Sequence, residues 1–164
     1  MNNVANTWTW WSLALLVAIR AQACTPVYPE PTLSQTFKAS SAVYLARLLD
    51  SRRAPFARSM DPKREFYEDA EFEVIVAFKG AHADGSRLKT RTLVAAGGCA
   101  LNVQQPVVVL EKNGAVSGHA YSDIWLLFLN GPEPFRLQSS SYTLPVNLLS
   151  ESDIREVFRL SETK

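Results

Sequence analysis

The chain has 164 residues, 47% of them hydrophobic, with 17 Lys and Arg against 16 Asp and Glu. That composition argues for a single packed domain and against disorder. The near-neutral balance lacks the basic surplus that a nucleic acid or an anionic membrane surface would require of its partner.

Trp8 to Ile19 is an apolar block, WTWWSLALLVAI, too short to span a bilayer but suited to the hydrophobic region of a secretory signal. Ala21-Gln22-Ala23 supplies the small residues of a cleavage site, so residues 1–23 are expected to be a signal peptide and 24–164 one domain. Cleavage makes Cys24 the first residue of an exported chain, periplasmic or extracellular. Residues 1–7 hold no Lys or Arg, and Arg20 follows the apolar block, so a retained amphipathic helix is one alternative. A lipid anchor on Cys24 is another, although Ala21 stands where a lipoprotein site usually has Leu. Because the leader's single charged side chain is Arg20, the mature chain has equal numbers of bases and acids.

Cys24 and Cys99 are the two cysteines. An exported chain with an even cysteine count usually pairs them, whereas lipidation would leave Cys99 alone in an oxidising compartment. A Cys24–Cys99 bridge closes a loop of about 70 residues, worth about 4 kcal/mol on the chain-entropy account. Two unrelated buried thiols are the alternative.

Pro26, Pro29 and Pro31 make the segment after Cys24 a stiff extended arm. Thr32 then opens a short helix, with Gln35 placed for a capping box and Leu33 and Phe37 on one face. It ends near Ala39-Ser40-Ser41. Ala42 to Asp50 predicts a strand. Ser51 to Arg64, with Pro55, Pro62, Arg52, Arg53, Arg58, Lys63 and Arg64, reads as a solvated polar loop, or alternatively as a basic binding patch; Glu65, Glu68 and Asp69 balance its charge.

Glu71 to Phe78 is the clearest strand: Phe72, Val74, Val76 and Phe78 alternate with the other residues, which predicts one buried face. Arg87 to Ala95 repeats the form. The turn signal Asp84-Gly85 between them predicts an antiparallel pair. Gly97-Gly98-Cys99 permits a sharp turn. Val107–Glu111 and Ala115–Ser117, around Asn113-Gly114, read as a small hairpin. Ile124 to Leu129 is wholly apolar, as a strand buried on both faces would be. Phe135–Ser140 and Tyr142–Val146 are weaker strand pieces. Ser150 opens a C-terminal helix with Ile154, Val157, Phe158 and Leu160 apolar. Such a chain is mainly β, and its pattern fits a small barrel or a sandwich.

Several of these residues carry a likeness. Cys24-Thr25, the proline arm, the short helix and Ala42-Val43-Tyr44-Leu45 come first. The run from Glu71 to Phe78-Lys79-Gly80, then Gly97-Gly98-Cys99 and Ile124-Trp125-Leu126-Leu127-Phe128, follow. From Cys24 to Ser140 the chain resembles secreted bacterial proteins similar to tissue inhibitors of metalloproteinases, in the netrin-like OB-fold group. The resemblance implies a five-stranded OB-type barrel with a short N-terminal and a C-terminal helix, and a disulfide from Cys24 to Cys99. It further implies a zinc metalloprotease as partner. The amine and carbonyl of Cys24 would chelate the protease zinc and Thr25 would enter the specificity pocket, with Pro26 completing the edge. A terminal amine with pKa near ~8 is partly neutral near neutral pH and can take an open zinc position. The animal inhibitors carry a second cysteine where this chain has Pro26, and Ala46 and Ala100 stand where such bacterial proteins often have glycine.

No enzyme is expected. Ser117, His119, Ser122 and Asp123 cluster without a nucleophile-elbow pattern, and read better as a loop leading into a strand. His82, His119 and the cysteines lack zinc-site spacing, and no phosphate-binding glycine loop is present, so no cofactor and no metal of its own is expected. Tyr121, Trp125 and Phe128 could form an aromatic ligand platform, though Trp125 in an apolar run is more often core. The rival to inhibition is a secreted or envelope-associated module that binds a protein or glycan and inhibits nothing.

Overall fold

The computed structural model describes residues 31–57, 63, 65–94, 102–103, 107–110, 116–137 and 142–163, with 107–110 and 116–120 described by their main chain. Among the described residues eight strands and two α-helices run in the order α1 (Leu33–Ala39), β1 (Ala42–Pro55), β2 (Phe66–Lys79), β3 (Arg87–Val94), β4 (Val107–Leu110), β5 (Val116–Ala120), β6 (Ile124–Asn130), β7 (Arg136–Leu137), β8 (Leu144–Pro145) and α2 (Glu151–Glu162).

The protein is mainly β. Six strands form one antiparallel sheet in the order β3-β2-β1-β6-β7, with β8 also paired to β6, while β4 and β5 make a separate hairpin. The named strands leave this sheet open, unlike the closed five-stranded barrel that the resemblance implies. One isolated parallel bridge, Thr90 to Phe135, ties β3 to the residue ahead of β7. There Arg91 N–H donates to Phe135 O (2.8 Å) and Phe135 N–H donates to Lys89 O (2.9 Å).

Two apolar clusters cover the two faces of the sheet. Strand β6 shows why its sequence has no polar alternation: Trp125, Leu127 and Leu129 enter one cluster, and Leu126 and Phe128 the other. The second cluster is closed by the helices, with Leu33 and Phe37 from α1 and Val157 from α2. Both helices start as their sequences dictate. Thr32 and Gln35 form a capping box at α1, and Ser150 Oγ accepts the Asp153 amide at α2.

Strand β2 departs from the one-faced pattern. Phe72 and Val74 belong to the first cluster with Tyr44 and Leu88, whereas Val76 and Phe78 belong to the second, under the helices. The cause is a register shift: Ala46 pairs with Val74 but Leu45 pairs with Val76, so one extra β2 residue intervenes and the alternation changes side.

The pairing also corrects the expected loop. Ser51–Pro55 continues β1 rather than opening a loop, and β2 begins at Phe66, so Arg52 pairs with Asp69 and Arg53 with Glu68. Arg53 lies over the Phe66 ring at 4.4 Å, which shields part of its apolar face. Among the described residues no helix is long and apolar enough to cross a membrane.

Candidate functional site

Cys24, Thr25, Pro26 and Cys99 lie outside the described residues, as do the cleavage site and the bridge expected between the two cysteines. The structure does describe helix α1, which begins nine residues after Cys24 in the sequence. Helix α1 is fixed at its start by the capping box, where Thr32 N–H donates to Gln35 Oε1 (2.8 Å) and Gln35 N–H donates to Thr32 Oγ1 (3.3 Å). It is fixed at its end by Lys79, whose ammonium donates to the carbonyls of Phe37 (3.0 Å), Lys38 (3.0 Å) and Ser40. A cation on the last carbonyls of a helix answers both their missing hydrogen bonds and the negative end of the helix dipole.

Lys79 is the middle of Phe78-Lys79-Gly80, and its neighbours explain the rest of that motif. Phe78 is buried and packs edge-on against Phe158 of α2, with ring centres 4.9 Å apart. Gly80 has φ +120°, in the region that L side chains rarely adopt. A Cβ there would overlap the Tyr44 hydroxyl and stand 2.9 Å from both Ala42 Cβ and Tyr44 Cζ. Tyr44 is fully buried, and its hydroxyl accepts the His82 amide at 3.2 Å. The Ala42–Leu45 and Phe78–Gly80 motifs, distant in sequence, are therefore one contact.

His82 extends this contact toward β3. Its ring meets Tyr44 and Phe135 edge-on at 5.9 and 5.8 Å, and its Nε2 is 3.4 Å from Glu133 Oε2. Glu133 Oε1 accepts the Lys89 amide at 2.8 Å. Glu133 thus joins the turn after β2 to the edge of β3.

A buried carboxylate escaped the sequence reading. Glu68, expected only to balance the charges of the preceding segment, is 1% exposed and belongs to the inward row of β2. It accepts the Ser51 hydroxyl (3.2 Å) and the Val103 amide (2.9 Å). Val103 is itself fully buried in the first cluster, so Glu68 ties this residue, four positions after Cys99, to the sheet. The Thr90 and Thr92 hydroxyls on the adjacent strand are buried without a hydrogen-bond partner among the described residues.

On the outward face of β1–β3 two charged rows cross the sheet. One runs Asp50–Glu71–Lys89, the other Arg52–Asp69–Arg91. A cavity of about 590 Å³ lies along them, with Glu133 and Pro134 at the β3 end. Arg91 binds Asp69 through two bonds, Nε to Oδ1 at 2.6 Å and Nη2 to Oδ2 at 2.8 Å. That hydrogen bonding, aided by the charges of Arg91 and Arg52, holds the Asp69 carboxyl below its ordinary range.

The hydrolase-like residues play structural parts where they are described. Ser122 Oγ accepts the Ile124 amide at 3.0 Å, Ser122 O accepts the Trp125 indole N–H at 2.9 Å, and Asp123 lies 3.9 Å from Arg47. Ser117 and His119 lie in β5, whose side chains are outside the description. The aromatic platform does not form: Trp125 and Phe128 are buried in opposite clusters, and Tyr121 is exposed. Among the described residues no group of His, Cys, Asp and Glu is arranged to hold a metal ion.

No protein-family model and no curated protein matches this chain.

Proposed function

We propose that the chain is an exported, non-enzymatic binding module of OB type that inhibits a zinc metalloprotease through its mature N-terminal end. In this reading the amine and carbonyl of Cys24 take the open position on the protease zinc, Thr25 enters the adjoining pocket, and a Cys24–Cys99 disulfide fixes the end.

The anchorage of α1 is the observation that carries the proposal. A chelating chain end gains affinity when it is held in place before binding, because less freedom is lost on association. The arm from Cys24 runs into a helix whose first turn is capped by Thr32 and Gln35 and whose last carbonyls are gathered by Lys79. The bridge from Thr90 to Phe135 supports the OB-type closure: it brings β3 together with the residue ahead of β7, at the two ends of the order β3-β2-β1-β6-β7, as closing a sheet into a barrel requires.

Mass spectrometry of the exported protein tests the first requirement, a free Cys24 amine and an oxidised pair. An acylated or extended terminus removes the chelating amine and with it the mechanism. A second variant, with one alanine added before Cys24, is assayed beside the native protein against a panel of zinc proteases. Inhibition by the native chain alone is the expected result; equal inhibition by both would refute chelation. Absence of inhibition in both leaves the rival, a non-inhibitory binding module.

A further inference from the structure

We propose that the charged trench across β1–β3 is a binding site for a short acidic oligosaccharide, whose carboxylates meet Arg52 and Lys89 and whose hydroxyls meet Asp50 and Glu71. The site is independent of Cys24 and stands whether or not the N-terminal end chelates zinc.

The inference rests on which charges are already engaged. Asp69 has both oxygens on Arg91, Glu71 accepts from Arg87 (3.2 Å), and Glu133 has one oxygen on the Lys89 amide and the other beside His82. Asp50 accepts the Ser51 amide at 2.9 Å. The acids therefore have partners. The side chains of Arg52 and Lys89 are exposed and have no ion pair or hydrogen bond among the described residues. They stand in neighbouring rows on β1 and β3, two strand spacings across and two residues along, about 12 Å apart by main chain. Two cations that donate no hydrogen bond to the described residues, one of them beside Asp69, face one cavity and suit a ligand with separated negative groups.

The neighbouring charges narrow the class. The trench holds Asp50, Asp69, Glu71 and Glu133 against Arg52, Lys89 and Arg91, so a dense polyanion would meet as much repulsion as attraction. A ligand with few carboxylates and many hydroxyls suits the mixture, since engaged carboxylates still have lone pairs to accept O–H groups. A peptide is disfavoured by the main chain. The edge amides of Lys89 and Arg91 are taken by Glu133 Oε1 and Phe135 O, so β3 offers no free edge there for another strand. The volume of about 590 Å³ is in the range of small-ligand sites.

The test is a titration of the isotope-labelled mature protein with trigalacturonic acid, followed by amide chemical shifts. Saturable shifts are expected at residues 50–52, 69–71 and 89–91, with no comparable shifts from maltotriose. The Arg52→Gln, Lys89→Gln double variant should bind at least about tenfold more weakly, the loss of roughly one charge-assisted bond. Each single variant should show part of that loss and serves as the measurement if the double variant loses its dispersed spectrum. The proposal is overturned by the absence of shifts up to about 10 mM ligand, a concentration that would detect even millimolar affinity. It is also overturned if maltotriose binds equally, if tetraglutamate binds as tightly, or if inorganic sulfate alone reproduces the shifts and affinity. Unchanged binding by the variants overturns it too.

Discussion

The Tyr44 hydroxyl occupies the space that a side chain at Gly80 would need, and it accepts the His82 amide at 3.2 Å. Gly80→Ala should therefore suffer twice, from a φ of +120° and from overlap with a buried ring. A loss of more than about 3 kcal/mol in denaturant unfolding is expected. Tyr44→Phe should cost only about 1 kcal/mol, the hydrogen bond to His82. The double variant should be more stable than the summed losses imply, because removing the hydroxyl relieves part of the overlap. Strict additivity would show that the two residues do not share this space.

Lys79→Met keeps much of the aliphatic stem and removes the three contacts to the end of α1. The expected cost is about 2 kcal/mol, since hydrogen bonds from a charged donor are among the stronger ones. Faster hydrogen exchange should be confined first to α1. If the proposed inhibition exists, it should weaken beyond what the stability loss explains. A variant whose α1 exchanges as slowly as the native protein's would contradict the anchoring role.

Glu68→Ala leaves the Ser51 hydroxyl and the buried Val103 amide without this acceptor. A loss of about 3 kcal/mol is expected, with Glu68→Gln milder because one oxygen remains to accept. The Val103 amide should exchange faster in the alanine variant. A neutral effect on both measurements would mean that Glu68 does not hold this residue to the sheet.

The Asp69–Arg91 pair gives a pH signature of known sign. Asp69 is held below its ordinary range chiefly by the hydrogen bonds from Arg91. A depressed carboxylate contributes stability above its unfolded value near ~3.9, and that contribution disappears as pH falls through the lower folded value. The pair is partly exposed, so solvent screening keeps the effect small. Asp69→Asn should lower stability at neutral pH and converge with the native protein in acid. Glu156 is lowered in the same way by Arg159, so the native protein keeps a residual acid dependence that the variant does not remove.

Much of the architecture is legible locally. The Thr32–Gln35 capping box, the Asp84-Gly85 turn and the wholly apolar Ile124–Leu129 run each act through neighbours in sequence, and each marks its element. The failures are non-local. The change of side between Val74 and Val76 is set by how β2 pairs with β1, and no residue in the run itself announces an extra one. Ser51–Pro55 looks like a loop because Arg52 and Arg53 are exposed, yet its strand character comes from pairing with Phe66–Ala70. Glu68 reads in sequence as one of the acids that balance the Ser51–Arg64 charges, because carboxylates are seldom buried; donors such as the Ser51 hydroxyl and the Val103 amide make its buried position tolerable. The charged trench is equally invisible in sequence, since its rows are assembled from three strands.

Strand β6 has a consequence for cooperativity. Its alternate residues belong to the clusters on both faces of the sheet, and β2 crosses from one cluster to the other along its length. The helical cover therefore cannot peel away without disturbing the strands that also line the opposite cluster. Unfolding should proceed as one event in which helix and sheet signals vanish together, rather than as a loose outer layer leaving an intact interior.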